Sequence, residues 1–193
     1  MTKNSSMSMT RRAVIRAFAA TAITAAPTFS NAATNAAGFL RGAGDIRRVR
    51  MVSPRTGERI DTIYWVEGEY IEEALNEISI FMRDWRTDEV KLINYRTIDI
   101  LAASHNLLDA TEPYLMLSGY RTAATNAMLR RSSRRVAKSS RHIIGEAADL
   151  RLSSRSVNQM FRAAIACNGG GVGKYSRNNF VHMDCGPVRS WGS

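Results

Sequence analysis

Cysteine is scarce in this 193-residue chain, which contains only Cys167 and Cys185. In an oxidising compartment this even count permits one disulfide but does not require it, and a pair of buried free thiols is the alternative. A long hydrophobic run is also absent from the N-terminal region. The apolar stretch at residues 17–26 is Ala-rich and too short to span a bilayer, which excludes a permanent membrane anchor there.

The first 32 residues differ in character from the remainder. Consecutive arginines, Arg11-Arg12, precede the short apolar stretch, and small residues follow it. This order predicts a twin-arginine signal peptide over residues 1–32, with a domain over 33–193 that is periplasmic or otherwise exported. Signal-peptidase cleavage after Ala36 fits the small-residue pattern nearly as well as cleavage after Ala32. An N-terminal amphipathic or disordered arm is the alternative to a signal peptide. The signal implies the twin-arginine export machinery as a partner, and no cysteine stands nearby to carry a lipid anchor.

Residues 33–193 have the composition of one globular domain, without a visible repeat, linker or second domain. The whole chain holds 27 Lys and Arg against 17 Asp and Glu, a net charge of +10. Four of these bases and none of the acids lie in the predicted signal, so the domain keeps +6. An exported location excludes nucleic acid as a partner, and the charge fits an anionic cell-wall polymer. Seven bases crowd into one stretch, most of them predicted to form a solvated face: Arg121, Arg130, Arg131, Arg134, Arg135, Lys138 and Arg141.

Two of the three histidines, His142 and His182, lie in short segments that each also contain an aspartate, Asp149 and Asp184. Catalytic zinc takes three protein ligands from His and Asp or Glu and leaves a fourth position for water. His142, Asp149 and His182 would fill those three positions with Zn²⁺ as the cofactor. Two ordinary histidines, one in a loop and one in a strand, are the alternative. Cys185 as a fourth ligand would close the site.

Apolar spacing predicts a chain of mixed strands and helices. The strands are predicted at 46–51, 60–66, 114–117, 147–152 and 180–185, the last being the final strand, and the helices at 70–85, 88–104, 122–131 and 157–165. The first two strands are predicted to form a hairpin. Thr87 is predicted to cap the second helix, and the polar segment 132–140 is predicted to be a loop.

The pattern also orients the four residues of the two segments. Gly145 and the alanines that follow it indicate a turn that leads His142 into a strand. Period two places Asp149 away from the apolar face of that strand. The same period puts His182 and Asp184 on one face of the later strand, so Asp184 is predicted to stand beside His182.

Several ordered motifs carry a resemblance to a known family. They are Arg83–Arg86, Ser118–Thr122 with Thr125-Asn126, the two histidine segments, Val172-Gly173 with Tyr175, and Gly186–Trp191. Across essentially the whole of residues 33–193 the chain resembles the zinc D-alanyl-D-alanine peptidases of the cell wall, which are LAS-type metallopeptidases. Within that group it is similar to the YcbK-like murein endopeptidases.

The resemblance implies an α+β single domain with a small antiparallel sheet and flanking helices, of the hedgehog/D-Ala-D-Ala zinc peptidase type. It implies zinc on His142, Asp149 and His182, and hydrolysis of peptide bonds in peptidoglycan by attack of metal-bound water. The favoured activity is endopeptidase cleavage of crosslinks. A D,D- or L,D-carboxypeptidase acting on stem peptides and a catalytically inactive, zinc-containing wall-binding module are the alternatives.

The resemblance also assigns residues around the metal. Arg121 matches the family arginine that polarises the substrate carbonyl or holds a carboxylate, with a structural salt bridge as the alternative. Many relatives carry an acid as general base where this chain has Asn179, and others carry a histidine where it has Phe180. Asp184 is therefore assigned as the base, with orientation of His182 as the alternative role. Three aromatic residues are predicted to contact substrate or, alternatively, to pack: Tyr120, Tyr175 and Trp191.

Overall fold

The computed structural model describes residues 42–134 and 136–192, all within the second of two compact units, Ala32–Ser193. The predicted twin-arginine signal and both predicted cleavage sites lie outside these residues, as does Arg135 of the basic stretch. The remaining bases of that stretch are exposed or half-buried, apart from Arg121, which is buried.

The described residues form a mixed α+β fold around one sheet. Its eight strands are β1 (Ile46–Val52), β2 (Arg59–Val66), β3 (Glu69–Tyr70), β4 (Tyr114–Ser118), β5 (Ala147–Arg151), β6 (Gly171–Tyr175), β7 (Phe180–Asp184) and β8 (Arg189–Gly192). Their order across the sheet is β3-β2-β1-β4-β5-β7-β6-β8. The β1–β4 and β6–β8 pairs are parallel and the other pairs are antiparallel. With eight strands and two parallel pairs, the sheet differs from the small antiparallel sheet that was expected, while the predicted β1–β2 hairpin is confirmed.

Four helices accompany the sheet in this part of the chain. They are α1 (Glu72–Phe81), α2 (Tyr95–Leu107), α3 (Ala123–Ser132) and α4 (Val157–Cys167), and short 3-10 turns lie at Arg141–Ile144 and Ser176–Asn178. Side-chain caps fix where α3 and α4 begin. Thr122 accepts a hydrogen bond from Thr125 N at the start of α3, and Ser156 forms a capping box with Gln159 at the start of α4. None of the helices that the structure describes has the length and apolarity needed to cross a membrane.

The start of α2 differs from the prediction. Thr87 does not cap it; Asn94 does, by accepting a hydrogen bond from Arg96 N. Residues 84–89 instead form a turn in which Asp88 has a left-handed backbone, φ 56°. Val90 and Leu92, which lie within the predicted helix, are more than half exposed in a segment that is not helical. Single apolar residues at a surface carry no packing information.

The core lies between the sheet and the helices. Helix α1 packs on β2, and α2 and α4 pack on each other and on β7. In the central strands the buried residues facing this core include Leu150 of β5 and Val181 and Met183 of β7. Asp149 and His182 alternate with these core residues, so their side chains stand on the opposite face. The pleat thus separates the apolar core from the polar cluster.

Both cysteines are buried and free. The disulfide that their even number permitted is not formed, and the alternative of two buried thiols is the one that the structure has. Cys167 is held inside α4, where its Sγ donates to Ala163 O at 3.3 Å. Burial raises the pKa of the Cys167 thiol to about 12. Cys185 lies beyond β7 and outside the cluster that could hold a metal.

Candidate active site

His142 is positioned by a short turn in front of β5. Gly145 ends the 3-10 turn with a left-handed backbone, φ 73°, and a Cβ there would lie 2.7 Å from Leu92 O. The predicted turn leading His142 into a strand is confirmed. His142 is buried, and its Nδ1 donates to Gly119 O at 2.7 Å. Since a carbonyl only accepts, the proton sits on Nδ1 and the lone pair of Nε2 faces the other site residues.

Asp149 and His182 come together through strand pairing. They are directly opposite each other in the antiparallel β5–β7 register, and Nδ1 of His182 lies 2.9 Å from Asp149 Oδ1. His142 Nε2 lies 3.2 Å from His182 Nδ1 and 3.3 Å from Asp149 Oδ1. Three potential ligand atoms, from the turn before β5, from β5 and from β7, therefore converge on one point. These residues are the group that could hold a metal ion in the described chain.

The spacing of the three atoms suits a tetrahedral ion. Nitrogen and oxygen ligands bound at 2.0–2.1 Å in a tetrahedron are about 3.3 Å apart. The observed triangle, 2.9, 3.2 and 3.3 Å, needs only a small expansion to reach that value. Two imidazoles and one carboxylate are also a donor set that zinc accepts in catalytic sites. The residues present fit the metal that the sequence predicts.

The electrostatics of the three groups are tightly coupled. Burial lowers the pKa of His142, which favours the neutral imidazole that a metal requires. Burial opposes the charge on Asp149 as well, but the two histidines hold its pKa well below the ordinary value. In His182, burial is outweighed by hydrogen bonds to Asp149 and Asp184, so its pKa is raised. An anionic carboxylate between two imidazoles is thus the stable arrangement.

Asp184 is on the far side of the His182 ring from Asp149. Its Oδ2 accepts from His182 Nε2 at 3.1 Å, and the carboxylate is completely buried. It also accepts from both terminal nitrogens of Arg189, at 3.0 and 2.7 Å, and from Gly186 N at 2.9 Å. Burial alone would raise the pKa of Asp184, but these hydrogen bonds hold it well below the usual value. The predicted position of Asp184 beside His182 is confirmed.

Arg121 follows β4 and turns back toward the same cluster. Its Nη2 donates to Asp149 Oδ2 at 2.9 Å and its Nε donates to Ser118 Oγ at 2.9 Å. The guanidinium is largely buried, yet it lines the cavity in front of the cluster. Arg121 therefore lies beside the His-Asp-His group, as predicted.

Asp84 holds the loop that carries Arg121. This buried carboxylate accepts from the backbone nitrogen of Thr122 at 2.9 Å and from its hydroxyl at 3.1 Å. Gly119 permits the loop to approach the end of α1, since a Cβ there would lie 2.3 Å from Met82 O. The sequence places Asp84 in the Arg83–Arg86 motif without indicating its role. Its position between Arg83 and Trp85 does not reveal that Thr122 is its hydrogen-bond partner.

A cavity of about 310 Å³ opens over the cluster. The loop after α3 forms one wall with Val136 and Ala137. Another part of the lining is aromatic: the Tyr175 ring stacks on Phe180 with centroids 4.4 Å apart, and Trp191 Nε1 donates to Tyr175 Oη at 3.2 Å. Together these walls form a cleft that leads to the His-Asp-His group.

The predicted aromatic contacts divide into two groups. Tyr175 and Trp191 line the cavity, and the Trp191 ring lies 5.4 Å from that of His182. Tyr120 does not line it. Its backbone nitrogen donates to Met82 O at 2.8 Å, its ring packs against the core, and the Lys91 ammonium lies 5.9 Å from the ring. The loop that points Arg121 into the cavity directs the preceding side chain away from it.

The cavity has few acidic groups. Among the described residues that line it, the carboxylates are those of Asp149 and Asp184, and both are hydrogen-bonded within the cluster. Asn179, at the position where the family resemblance leads one to expect an acid, has a left-handed backbone, φ 51°, at the end of a 3-10 turn and is exposed. No side chain in the described lining is therefore an unengaged carboxylate.

Fold and site together define an α+β protein with a His-Asp-His group that can hold a metal at the foot of an aromatic cleft. A family model described as peptidoglycan L,D-endopeptidase MepK, an M15 peptidase family, matches residues 41–191. The chain belongs to this family, and the resemblance to the YcbK-like murein endopeptidases is confirmed.

Individual relatives agree with the family model. The peptidoglycan L,D-endopeptidase MepK of Escherichia coli K12 is 40% identical over 136 residues, which cover 70% of this chain and 75% of the relative. A probable peptidoglycan L,D-endopeptidase MepK of Haemophilus influenzae is 36% identical over 137 residues, or 70% and 74% of the two chains. The family consists of peptidases, so this chain is an enzyme of the peptidase class.

Proposed function

We propose that this protein is an exported, zinc-dependent peptidoglycan endopeptidase that cuts L,D peptide bonds in crosslinks. The observation that carries the proposal is the triangle of His142, Asp149 and His182 at the foot of the cleft, with Arg121 beside it. The family supports hydrolysis of peptidoglycan, and the relatives' names supply the bond type. The hedgehog/D-Ala-D-Ala peptidase-type fold and the twin-arginine route are part of the same proposal.

The three ligands are each prepared for a metal by a second contact. His142 keeps its proton on Nδ1 by donating to Gly119 O, and His182 keeps its proton on Nε2 by donating to Asp184, so each presents a nitrogen lone pair to the centre. Asp149 offers Oδ1 while Oδ2 is held by Arg121. When bound at such a site, zinc polarises a carbonyl and makes a water molecule nucleophilic near neutral pH.

Arg121 is proposed to bind the substrate oxygen on which negative charge develops, or a substrate carboxylate beside the scissile bond. A guanidinium is planar and permanently charged, so it suits either anion. Its ion pair with Asp149 at 2.9 Å is the salt bridge that sequence analysis kept as the alternative. The two roles are compatible, because the contact with Asp149 fixes the guanidinium at the edge of the cleft where substrate must enter. A preorganised donor of this kind costs no reorganisation during the reaction.

For Asp184, the contacts favour orientation of His182 over the role of general base. A base must reach the attacking water, whereas this carboxylate is fully buried behind the His182 ring and already accepts several hydrogen bonds. A pKa held well below the usual range also makes it a poor proton acceptor. We propose that the proton lost by the nucleophilic water passes to solvent in the open cleft.

A wall-binding module without catalysis is the second candidate, because the described lining contains no unengaged carboxylate and Asn179 replaces the acid of many relatives. Carboxypeptidase action on stem peptides is the third. The three differ in their products. An endopeptidase separates crosslinked dimers, a carboxypeptidase shortens stems, and a binding module changes neither.

The test is digestion of purified peptidoglycan by the protein from Ala33 onward, with and without a chelator, followed by mass analysis of the muropeptides. Loss of L,D-crosslinked dimers that the chelator blocks and zinc restores is the expected result. Shortened stems alone would replace the proposal with carboxypeptidase action. An unchanged muropeptide profile, with protein retained on the wall, would replace it with the binding module.

A further inference from the structure

The strand β8 brings an arginine to the metal cluster from two strands away. In the sheet β6 lies between β7 and β8, with Gly171 paired to Asp184 on one side and to Arg189 on the other. A Cβ on Gly171 would lie 2.2 Å from Arg189 Nη1 and 2.6 Å from Asp184 Oδ2. The Arg189 side chain therefore crosses β6 over a position that has no side chain, and it reaches Asp184 by that path.

Arg189 binds Asp184 with both ends of its fork. Nη1 lies 3.0 Å from Oδ1 and Nη2 lies 2.7 Å from Oδ2. This bidentate pairing fixes the plane of the carboxylate as well as its charge. Oδ2 is also the oxygen that accepts from Nε2 of His182 at 3.1 Å. The orientation of Asp184, and through it the orientation of the His182 ring, therefore depends on the guanidinium.

A second cation near Asp184 is less well placed. Arg141 Nε lies 3.5 Å from Oδ1, and the guanidinium of Arg141 is engaged by Glu146. The backbone N–H groups of Gly171 and Gly186 also donate to Oδ1. Oδ2 is therefore left to accept from the side chains of Arg189 and His182. Arg189 is thus the group that holds the oxygen facing His182.

We propose that Arg189 is a positioning residue for the metal site: it holds Asp184 so that His182 keeps its proton on Nε2 and presents Nδ1 to the ion. This inference rests on the proposed function, since it requires a metal on His142, Asp149 and His182. It assigns a task to the Gly186–Trp191 motif, which marked the family resemblance without a known role. It also explains the glycine at position 171.

Part of the Arg189 side chain is accessible to substrate, so a role in substrate binding must be distinguished from the positioning role. Its side chain is 42% exposed, it lines the cavity, and its guanidinium lies 4.9 Å from the Trp191 ring. A residue that binds substrate affects KM and leaves metal affinity unchanged. A residue that orients a ligand changes metal affinity, typically by about 10- to 100-fold for an outer partner of a ligating histidine.

The experiment compares Arg189→Gln and Arg189→Lys with the matched control Arg177→Gln, in which an exposed arginine on the turn before β7 is changed in the same way. Zinc affinity is measured by competition with a chromophoric chelator, alongside kcat and KM on crosslinked muropeptides. We expect Arg189→Gln to weaken zinc binding about 10- to 100-fold with KM unchanged. Arg189→Lys, which keeps the charge without the fork, should recover part of the affinity, and Arg177→Gln should match wild type.

A second variant keeps the arginine at position 189 but displaces its guanidinium. The backbone of Gly171 is outside the left-handed region, so Gly171→Ala acts through the added Cβ in the path of the guanidinium. It should weaken zinc binding in the same direction as Arg189→Gln. Thermal unfolding of the metal-free forms identifies a variant that fails to fold, and zinc affinities are compared only among folded proteins.

The outcomes separate this inference from the proposed function. Wild-type zinc affinity with a raised KM in Arg189→Gln would overturn the inference and make Arg189 a substrate contact. Unchanged zinc affinity, kcat and KM would also overturn it. A wild-type protein that binds no zinc would instead remove the proposed function on which the inference rests.

Discussion

Asp149 and His182 face each other across the antiparallel pair β5–β7, and their side chains meet at 2.9 Å. Neither residue needs a loop to reach the other, because opposite residues on neighbouring strands lie within about 5.5 Å at their Cα atoms. A slip of one position would turn either side chain into the core. The buried residues on both sides of them, such as Leu150 and Met183, therefore protect the register on which the site depends.

Replacing Asp149 with Asn should remove metal binding and activity together. The amide keeps the shape but loses the charge that stands between two imidazoles, and the expected loss of zinc affinity exceeds about 100-fold. Zinc content after dialysis and muropeptide release measure the two effects. Asp45→Asn, at an exposed position outside the cluster, is the control. Wild-type zinc content in Asp149→Asn would contradict the ligand assignment.

Replacing Arg121 with Lys should reduce kcat/KM while zinc remains bound. Lysine retains the positive charge but cannot donate to Ser118, to Asp149 and to substrate with one fixed plane. Loss of a preorganised donor to a developing oxyanion lowers the rate by about 100-fold or more. Steady-state kinetics on crosslinked muropeptides, with zinc content measured on the same sample, give the answer. The matching change at the exposed Arg131 should have no effect, and equal kinetics in both variants would remove Arg121 from the mechanism.

Replacing Asp84 with Asn should reduce acid sensitivity as well as stability. Burial opposes the charge on Asp84, but hydrogen bonds from Thr125, Thr122 and Arg86 lower its pKa below the ordinary 3.8. Its contribution is therefore complete above that value and is lost as the pH falls through the lower pKa of the folded state. Urea unfolding from about pH 6 to about pH 3 should show a smaller pH dependence in the variant, and the variant should be less stable at pH 6 by about 1–3 kcal/mol. Identical pH dependence in the two proteins would contradict this account.

The thiols should be unreactive in the folded protein. Cys167 and Cys185 are both buried, and burial raises the pKa of each thiol. A chromogenic thiol reagent should therefore react slowly with the native protein and detect two thiols after denaturation. Recovery of no thiols from denatured, non-reduced protein isolated from its native compartment would show that a disulfide forms there.

Export should depend on the arginine pair at positions 11 and 12. Changing both to lysine keeps the charge but removes the predicted twin-arginine signal. The full-length protein should then accumulate unprocessed in the cytoplasm, as judged by fractionation and by the mass of the N-terminal peptide. Changing Arg16 to Lys is the control, because it alters a basic residue of the same segment outside the pair. Unchanged processing of the double variant would exclude the twin-arginine route.

Regular periodicity predicted the elements whose own side chains fill the core. The β1–β2 hairpin, α1, α4 and the strands that carry Asp149 and His182 follow this pattern, and His142, Asp149 and His182 converge as expected. Strands β6 and β8 were not predicted. Glycine is depleted from strands, and Gly171 and Gly173 removed the alternation from β6. A Cβ at Gly173 would lie 2.6 Å from the Trp191 ring, so these glycines are explained by residues of a different strand.

The hydrogen-bond partners that hold the site residues could not be predicted, for the same physical reason. Ligand types and spacing indicated a metal, because few side chains can bind one. Partners such as Arg189 for Asp184, or Asp84 for Thr122, are defined only once the sheet and the loops are assembled. The Gly186–Trp191 motif contains Arg189 but does not indicate its partner, and the role proposed for Arg189 depends on the absence of a side chain at Gly171.

The three side chains proposed to bind the metal are held by different kinds of secondary structure. Asp149 and His182 belong to central strands whose backbone hydrogen bonds hold them regardless of any ion, whereas His142 is on a four-residue turn that Gly145 closes. The sheet therefore brings two of the three donors into place during folding itself. In the proposed metal site, binding and release of the ion would depend on this one short turn, and we expect the domain to exchange metal without unfolding.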